Sequence, residues 1–326
     1  MKPRKAPDRT VTLRNNMDVS GLVHTVLRDD GVGTRVSRRF FTTHPVLRPL
    51  ELAGKNSLFH PRKIVYRVPA AARAVAMALE RPDHSVGGMS ALAVYGLRYF
   101  VDACDVALYG PVAKTELGSV YAPSVFRDPK RSVWIVRYHG QPIRISPPYD
   151  ALIQALKHVR RGFDAWQIHP VPGLDARTVR AVQLVDACRR RFNLDPSEIE
   201  SCGKQRLAKR WLRQVLKLSS DGADSPKETE MRLLCSSVCR THGLDLEEQV
   251  VLERGGKIVT VFDLALSGLK IGIMYDGEDH LRRSRRDRDS RINMQAAVLG
   301  WTVLRVGKET LASVGVALDE LIRIRT

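Results

Sequence analysis

The chain has 326 residues, 44% of them hydrophobic, and carries 53 lysines and arginines against 35 aspartates and glutamates, a formal net charge of +18. That length supports about two or three domains with cores of their own, and no apolar run approaches the roughly 20 residues of a membrane helix, so no membrane partner is expected. The charge points first to nucleic acid, because cations that neutralise phosphates release counterions, with an anionic membrane surface the weaker candidate.

The N-terminus, Met1-Lys2-Pro3-Arg4-Lys5, is basic, and no apolar signal-peptide core follows it. The five cysteines, Cys104, Cys188, Cys202, Cys235 and Cys239, are scattered and odd in number, which reads as reduced thiols in a cytoplasmic protein. Met1 to Asn16 lacks apolar periodicity and reads as a flexible arm. Val19, Leu22, Val23, Val26 and Leu27 then recur at helical spacing behind the capping residue Asp18, predicting a helix to Arg28. Thr34 opens a second short helix through Phe40, and Thr43-His44-Pro45 opens a third that stops at Gly54. Leu58 to Tyr66 reads as a hairpin. Three small helices and a ribbon make a winged helix-turn-helix over residues 1–68, with the third helix in the major groove and the ribbon along the backbone. Arg38, Arg39, Arg48, Arg62 and Lys63 are its candidate DNA contacts; a generic small helical domain is the other reading.

Residues 69–218 read as a mixed α/β region. Helices are expected over Ala70 to Glu80 and Ser90 to Gly96, and strands over Cys104 to Leu108, Ser119 to Tyr121, Ser132 to Tyr138 and Gln141 to Ile145. Further helices follow from Pro147 to Lys157, Thr178 to Phe192, Asp195 onward and Gln205 to Leu218. Ser219 to Ser225 is a linker by composition, opening a third region over residues 219–326. There Ser225, Pro226 and Glu228 start a helix through His242 with a capping box. Strands, a helix from about Arg288 to Leu299, a strand from Trp301 to Val306 and a helix from Glu309 to Ile324 complete an αβββαβα order.

Two neighbouring apolar runs of that region each carry a carboxylate. Val259 to Leu266 contains Asp263, and Leu269 to Asp276 is its hairpin partner across Ser267-Gly268. Carboxylates at corresponding depths of adjacent strands can hold Mg²⁺, which takes hard oxygen ligands, water and phosphate. They can equally be strand-end carboxylates paired with nearby arginines. The run Arg282-Arg283-Ser284-Arg285-Arg286-Asp287-Arg288-Asp289-Ser290-Arg291 follows directly, and its six guanidiniums suit a grip on phosphate; a solvated charged helix is the bland alternative.

From Ser225 onward the chain resembles the very-short-patch-repair (Vsr)-like endonuclease domains of the PD-(D/E)XK fold. The likeness is carried by Ser225-Pro226-Lys227-Glu228, Phe262-Asp263-Leu264-Ala265, Tyr275-Asp276-Gly277-Glu278-Asp279-His280 and Gly300 to Val306. The preceding region resembles the AbiEi family of type IV antitoxins, through Val65-Tyr66, Ser90-Ala91-Leu92 with Gly96, and the strand pair that follows. The resemblance implies that Asp263 is a catalytic and metal-binding aspartate, that Asp276 is the second, and that His280 and Glu228 assist. It also implies that position 274 is usually glutamate. Here it is Met274, whose thioether is a poor ligand for Mg²⁺. The expectation is therefore a DNA-binding regulator, antitoxin-like or phage-defence related, partnered by double-stranded DNA and by a toxin or other protein, with a nuclease fold of weakened or lost activity. The alternative is an active Mg²⁺-dependent endonuclease targeted by its winged helix.

Overall fold

The computed structural model describes residues 10–110, 114–115, 120–128, 132–277 and 283–326. The chain is of mixed α/β class, as its composition of elements leads one to expect, and it divides into two compact units. One comprises Thr10–Gln167 and Arg180–Ser219; the other contains Ile168–Val179 and Ser220–Thr326.

The first unit opens with α1 (Ser20–Val23), β1 (Thr34–Arg35), β2 (Phe41–Thr42) and α2 (Leu50–Ser57). It continues with α3 (Ala70–Glu80), β3 (Ser85–Val86), α4 (Gly88–Val94), β4 (Ala107–Tyr109), β5 (Lys114–Thr115), β6 (Ser124–Phe126), β7 (Trp134–Tyr138) and β8 (Gln141–Ile145). The helices α5 (Pro148–Arg161), α6 (Ala176–Phe192), α7 (Pro196–Gly203) and α8 (Lys209–Leu218) follow. Strands β3 to β8 form a mixed sheet in the order β5-β6-β4-β3-β8-β7. Helices α3, α4 and α5 bury Val75, Met77, Leu92, Leu152, Ile153 and Leu156. Each such side chain stabilises the fold by about 1.5–3 kcal/mol. Arg206, in the α7–α8 turn, pairs inside this unit with Asp128 at 2.9 Å and with Asp150.

The N-terminal elements differ from a three-helix reading, and the cause is long-range capture. Thr34 to Phe40 is a β-hairpin arm, because Thr34 pairs with Thr42 and Arg35 with Phe41. Glu80, at the end of α3, accepts hydrogen bonds from the Ser37 hydroxyl at 2.5 Å and the Arg39 amide at 2.7 Å, fixing the turn. The Asp18 helix shortens to α1 because His24 adopts φ 51° and the Tyr138 hydroxyl takes the carbonyl of Thr25. Arg28 and Phe41 then exchange backbone hydrogen bonds at 2.9 and 2.7 Å. Residues 58–66 make no strand. Instead His60 Nδ1 accepts the amides of Arg62 and Ile64, and Asp105 gathers His60, Arg62 and Tyr66. Side chains here outcompete a strand ladder for the backbone. The N-terminal residues that are described are not a free arm: Asn16 donates to Ile135 O at 2.7 Å and Ile135 donates to the Asn15 side chain at 2.8 Å.

In the middle region the expected strand over Ser119 to Tyr121 is not found where described. Val120 and Tyr121 lie in a turn, Ser119 lies outside the described residues, and the strand is β6. The remaining expected elements form with shifted ends, and β8 has the expected bounds.

The second unit runs α9 (Pro226–Thr241), β9 (Glu247–Arg254), β10 (Lys257–Leu266), β11 (Ile271–Tyr275), α10 (Arg283–Val298), β12 (Thr302–Val306) and α11 (Val314–Arg325), the αβββαβα order read from the sequence. Its sheet order is β12-β11-β10-β9, antiparallel except for the β11–β12 pair. The β10–β11 connection is a 3-10 turn, Ser267–Leu269, closed by Lys270 at φ 51°. Phe262 stacks on Trp301 at 5.0 Å between ring centroids and lies over Gly272, within a cluster containing Leu252, Ala265 and Ala296.

Candidate functional site

The β10–β11 ladder pairs Leu264 with Ile273 and Leu266 with Ile271. Beyond that register the Tyr275 amide donates to Asp263 Oδ2 at 2.8 Å. A carboxylate here takes the place of a ladder carbonyl, which draws Asp263 into the seam between the strands and leaves it 6% exposed. Asp276 follows Tyr275, and its amide donates to Val306 O at 2.8 Å, extending the pairing of β11 with β12. Asp263 thus lies inside β10, beside the end of β11 at which Asp276 follows.

The residue that sequence reading missed is Arg305. Parallel pairing of β11 with β12 sets Met274 beside Arg305. Its Nη1 donates to both oxygens of Asp276, at 3.0 and 3.3 Å, and Nη2 pairs with Asp289 of α10 at 3.1 Å. Nε donates to Asn293 Oδ1 at 3.3 Å. One planar guanidinium thus bridges the end of β11 and the face of α10, a geometry that ammonium cannot reproduce. A lone cation in a strand of apolar neighbours, Val303-Leu304-Arg305-Val306, was the available signal.

Met274 packs partly buried against the Phe262, Ala265, Leu252 and Ala296 cluster, with its sulfur 4.0 Å from the Thr260 hydroxyl. Glu228 closes the capping box of α9. It accepts from the Asp224 amide at 2.7 Å and from the Ser225 hydroxyl at 3.1 Å, while its own amide donates to Ser225 Oγ. His280 and Arg282 lie outside the described residues, and Arg283, Arg285, Arg286 and Arg288 fall on the first turns of α10. Among the described residues no group of three or more His, Cys, Asp or Glu is placed to hold a metal ion. The described donors fit Mg²⁺ poorly for a chemical reason. Asp276 faces a guanidinium, Asp263 accepts an amide, and Met274, two residues before Asp276 on β11, supplies a thioether.

The N-terminal candidates are dispersed. Arg38 and Arg39 are exposed in the turn joining β1 and β2, where Arg39 pairs with Asp29 at 2.9 Å. Arg48 is used internally, pairing with Asp102 at 3.1 Å and donating to Tyr66 O at 2.9 Å. Arg62 pairs with Asp105 at 2.6 Å, and Lys63 donates to Leu58 O. Among the described residues no helix is long and apolar enough to cross a membrane. No family model, no curated protein and no solved structure matches the chain.

Proposed function

We propose that the chain is a DNA-binding regulatory protein, antitoxin-like or phage-defence related, whose C-terminal αβββαβα unit has the order of a Vsr-like nuclease but little or no metal-dependent cleavage. The observation that carries the reading is Arg305. Its guanidinium lies against Asp276 at 3.0 Å and against Asp289 at 3.1 Å, supplying in covalent form the positive charge that a divalent ion would bring. Met274 removes a further anionic donor. The net charge of +18 supports duplex DNA as the partner, and the five free thiols suit a reducing cytoplasm. A toxin or other protein is a second partner on the antitoxin resemblance.

Titration of a labelled duplex by fluorescence anisotropy tests this. Affinity should fall by orders of magnitude between about 50 and 200 mM salt if six or more phosphates are contacted, and binding should persist in EDTA, Mg²⁺ acting only as a further competing cation. A flat salt response would sink DNA binding. The endonuclease reading rests on Asp263 in β10 accepting the amide of Tyr275, the residue before Asp276, and binding that strictly requires the metal would favour it.

A further inference from the structure

A row of exposed cations in the first unit lies on α8, which no motif singled out. Its sequence, Lys209-Arg210-Trp211-Leu212-Arg213-Gln214-Val215-Leu216-Lys217-Leu218, contains no Asp or Glu. Leu212 and Val215 are buried, whereas Lys209, Arg210, Arg213, Gln214 and Lys217 are exposed. Lys209, Arg213 and Lys217 fall at i, i+4 and i+8, so they form one row along the helix. Like charges at that spacing are unfavourable in water, and a single acid, Glu200, answers the row by pairing with Arg213 at 2.6 Å. Among the described residues Lys209, Arg210 and Lys217 have no ion-pair partner.

Two neighbours extend the patch. Arg160, exposed at the end of α5, lies over the Trp211 ring at 5.5 Å and so joins the same face. Beside the row, a groove of about 570 Å³ is lined by Lys204, Lys209 and Arg213 together with the hydroxyl-bearing Ser197 and Ser201. Cations and hydroxyls are the donors that hold phosphate oxygens without reading bases. The row from Lys209 to Lys217 spans about 12 Å at 1.5 Å per residue. One strand of duplex DNA carries about three to four phosphates over that length.

We propose that α8 and its flanking cations are the surface that grips the phosphate backbone of duplex DNA, a placement that rests on the DNA-binding reading above. The helix lies along a strand, with Lys209 and Lys217 at the two ends of the contacted stretch, Arg210 beside Lys209, Arg213 between them held by Glu200, and Lys204 closing the groove. Charge complementarity selects the partner. Leu212 and Val215 anchor the opposite face of the helix in the core, so the residues it presents outward along the row are cations.

The test compares the full chain with two triple variants of equal charge loss. One is Lys209→Gln, Arg210→Gln and Lys217→Gln; the other is Arg240→Gln, Arg254→Gln and Lys257→Gln, exposed cations of the second unit. Losing three phosphate contacts should lower the slope of log affinity against log salt by about 2.7, close to a hundredfold in affinity near 0.15 M. The α8 variant is expected to show that loss and the control variant only a small one. Equal losses in both would mean that net charge alone binds DNA, and undiminished binding by the α8 variant would place the grip elsewhere; either result overturns the proposal while DNA binding stands. No binding by the wild type removes both, as does binding to anionic vesicles instead of DNA. Acetylation footprinting of the wild type gives an answer independent of variant folding: bound duplex should protect Lys204, Lys209 and Lys217 but not Lys257, and unprotected α8 lysines would refute the assignment.

Discussion

Replacing Arg305 with glutamine removes the cation that joins β11, β12 and α10. The side chain is 19% exposed, and its partners Asp276 and Asp289 are 26% and 29% exposed, so the pairs are partly shielded from water. Hydrogen bonds to charged groups contribute about 1.5–3 kcal/mol each, but partial solvation and the amide that glutamine retains reduce the net loss, and Arg305→Gln should destabilise the chain by about 2 kcal/mol. Arg305→Lys should fall between, because a point charge cannot face both carboxylates at once. The carboxylates left without their cation should then accept an added one. A divalent ion at about ten times its Kd adds about 1.4 kcal/mol to stability. Urea denaturation with and without Mn²⁺ reads both effects: the wild type should be indifferent to the ion, and Arg305→Gln should regain much of what it lost. Equal Mn²⁺ stabilisation of the wild type would refute the reasoning, since the guanidinium would not then be filling the cation's place.

Met274→Glu should not by itself restore a metal site. It sets a carboxylate against the Phe262 and Leu252 cluster and should cost about 1–3 kcal/mol, with Mn²⁺ binding by calorimetry appearing only when Arg305→Gln is added. Gly272→Ala would put a methyl 2.5 Å from the Phe262 ring and should lower stability by about 1–3 kcal/mol in the same urea assay. Burial alone would raise the Asp105 carboxyl, but hydrogen bonds from His60 and Tyr66 and the charges of His60 and Arg62 outweigh it and hold the group well below the usual carboxylate range. A carboxyl depressed in the folded state stabilises above its unfolded pKa of about 3.9 and loses that contribution as pH falls below it. Asp105→Asn should therefore be less stable than wild type at pH 7, with the gap closing below about pH 4 in denaturation measured across pH.

The αβββαβα unit was legible because its signals are local. The linker Ser219 to Ser225, the capping box at Ser225 and Glu228, and the apolar runs around Asp263 and Ile273 each specify their element within a few residues. Residues 18–66 were not legible, because their backbone partners lie far along the chain. Glu80 sets the turn after β1, Tyr138 takes the carbonyl of Thr25, and Asp105 gathers His60, Arg62 and Tyr66. Helical spacing of Val19, Leu22, Val23 and Val26 reports only local preference, which such contacts override. At the candidate site the placement of Asp263 and Asp276 on neighbouring strands was readable, but the pairing of Asp276 with Arg305 was not. Arg305 reaches Asp276 only through the parallel pairing of β11 with β12, with α10 between them in the chain.

We propose that the chain holds DNA while Arg305 takes the place of a catalytic cation beside Asp276. Supercoiled plasmid incubated with the full chain in Mg²⁺, in Mn²⁺ and in EDTA tests it most directly, with mobility shift and nicking read from the same samples. The account predicts a shifted plasmid that is released intact in all three conditions. Metal-dependent nicking that disappears in EDTA and in Asp263→Ala would contradict it and make the chain an endonuclease.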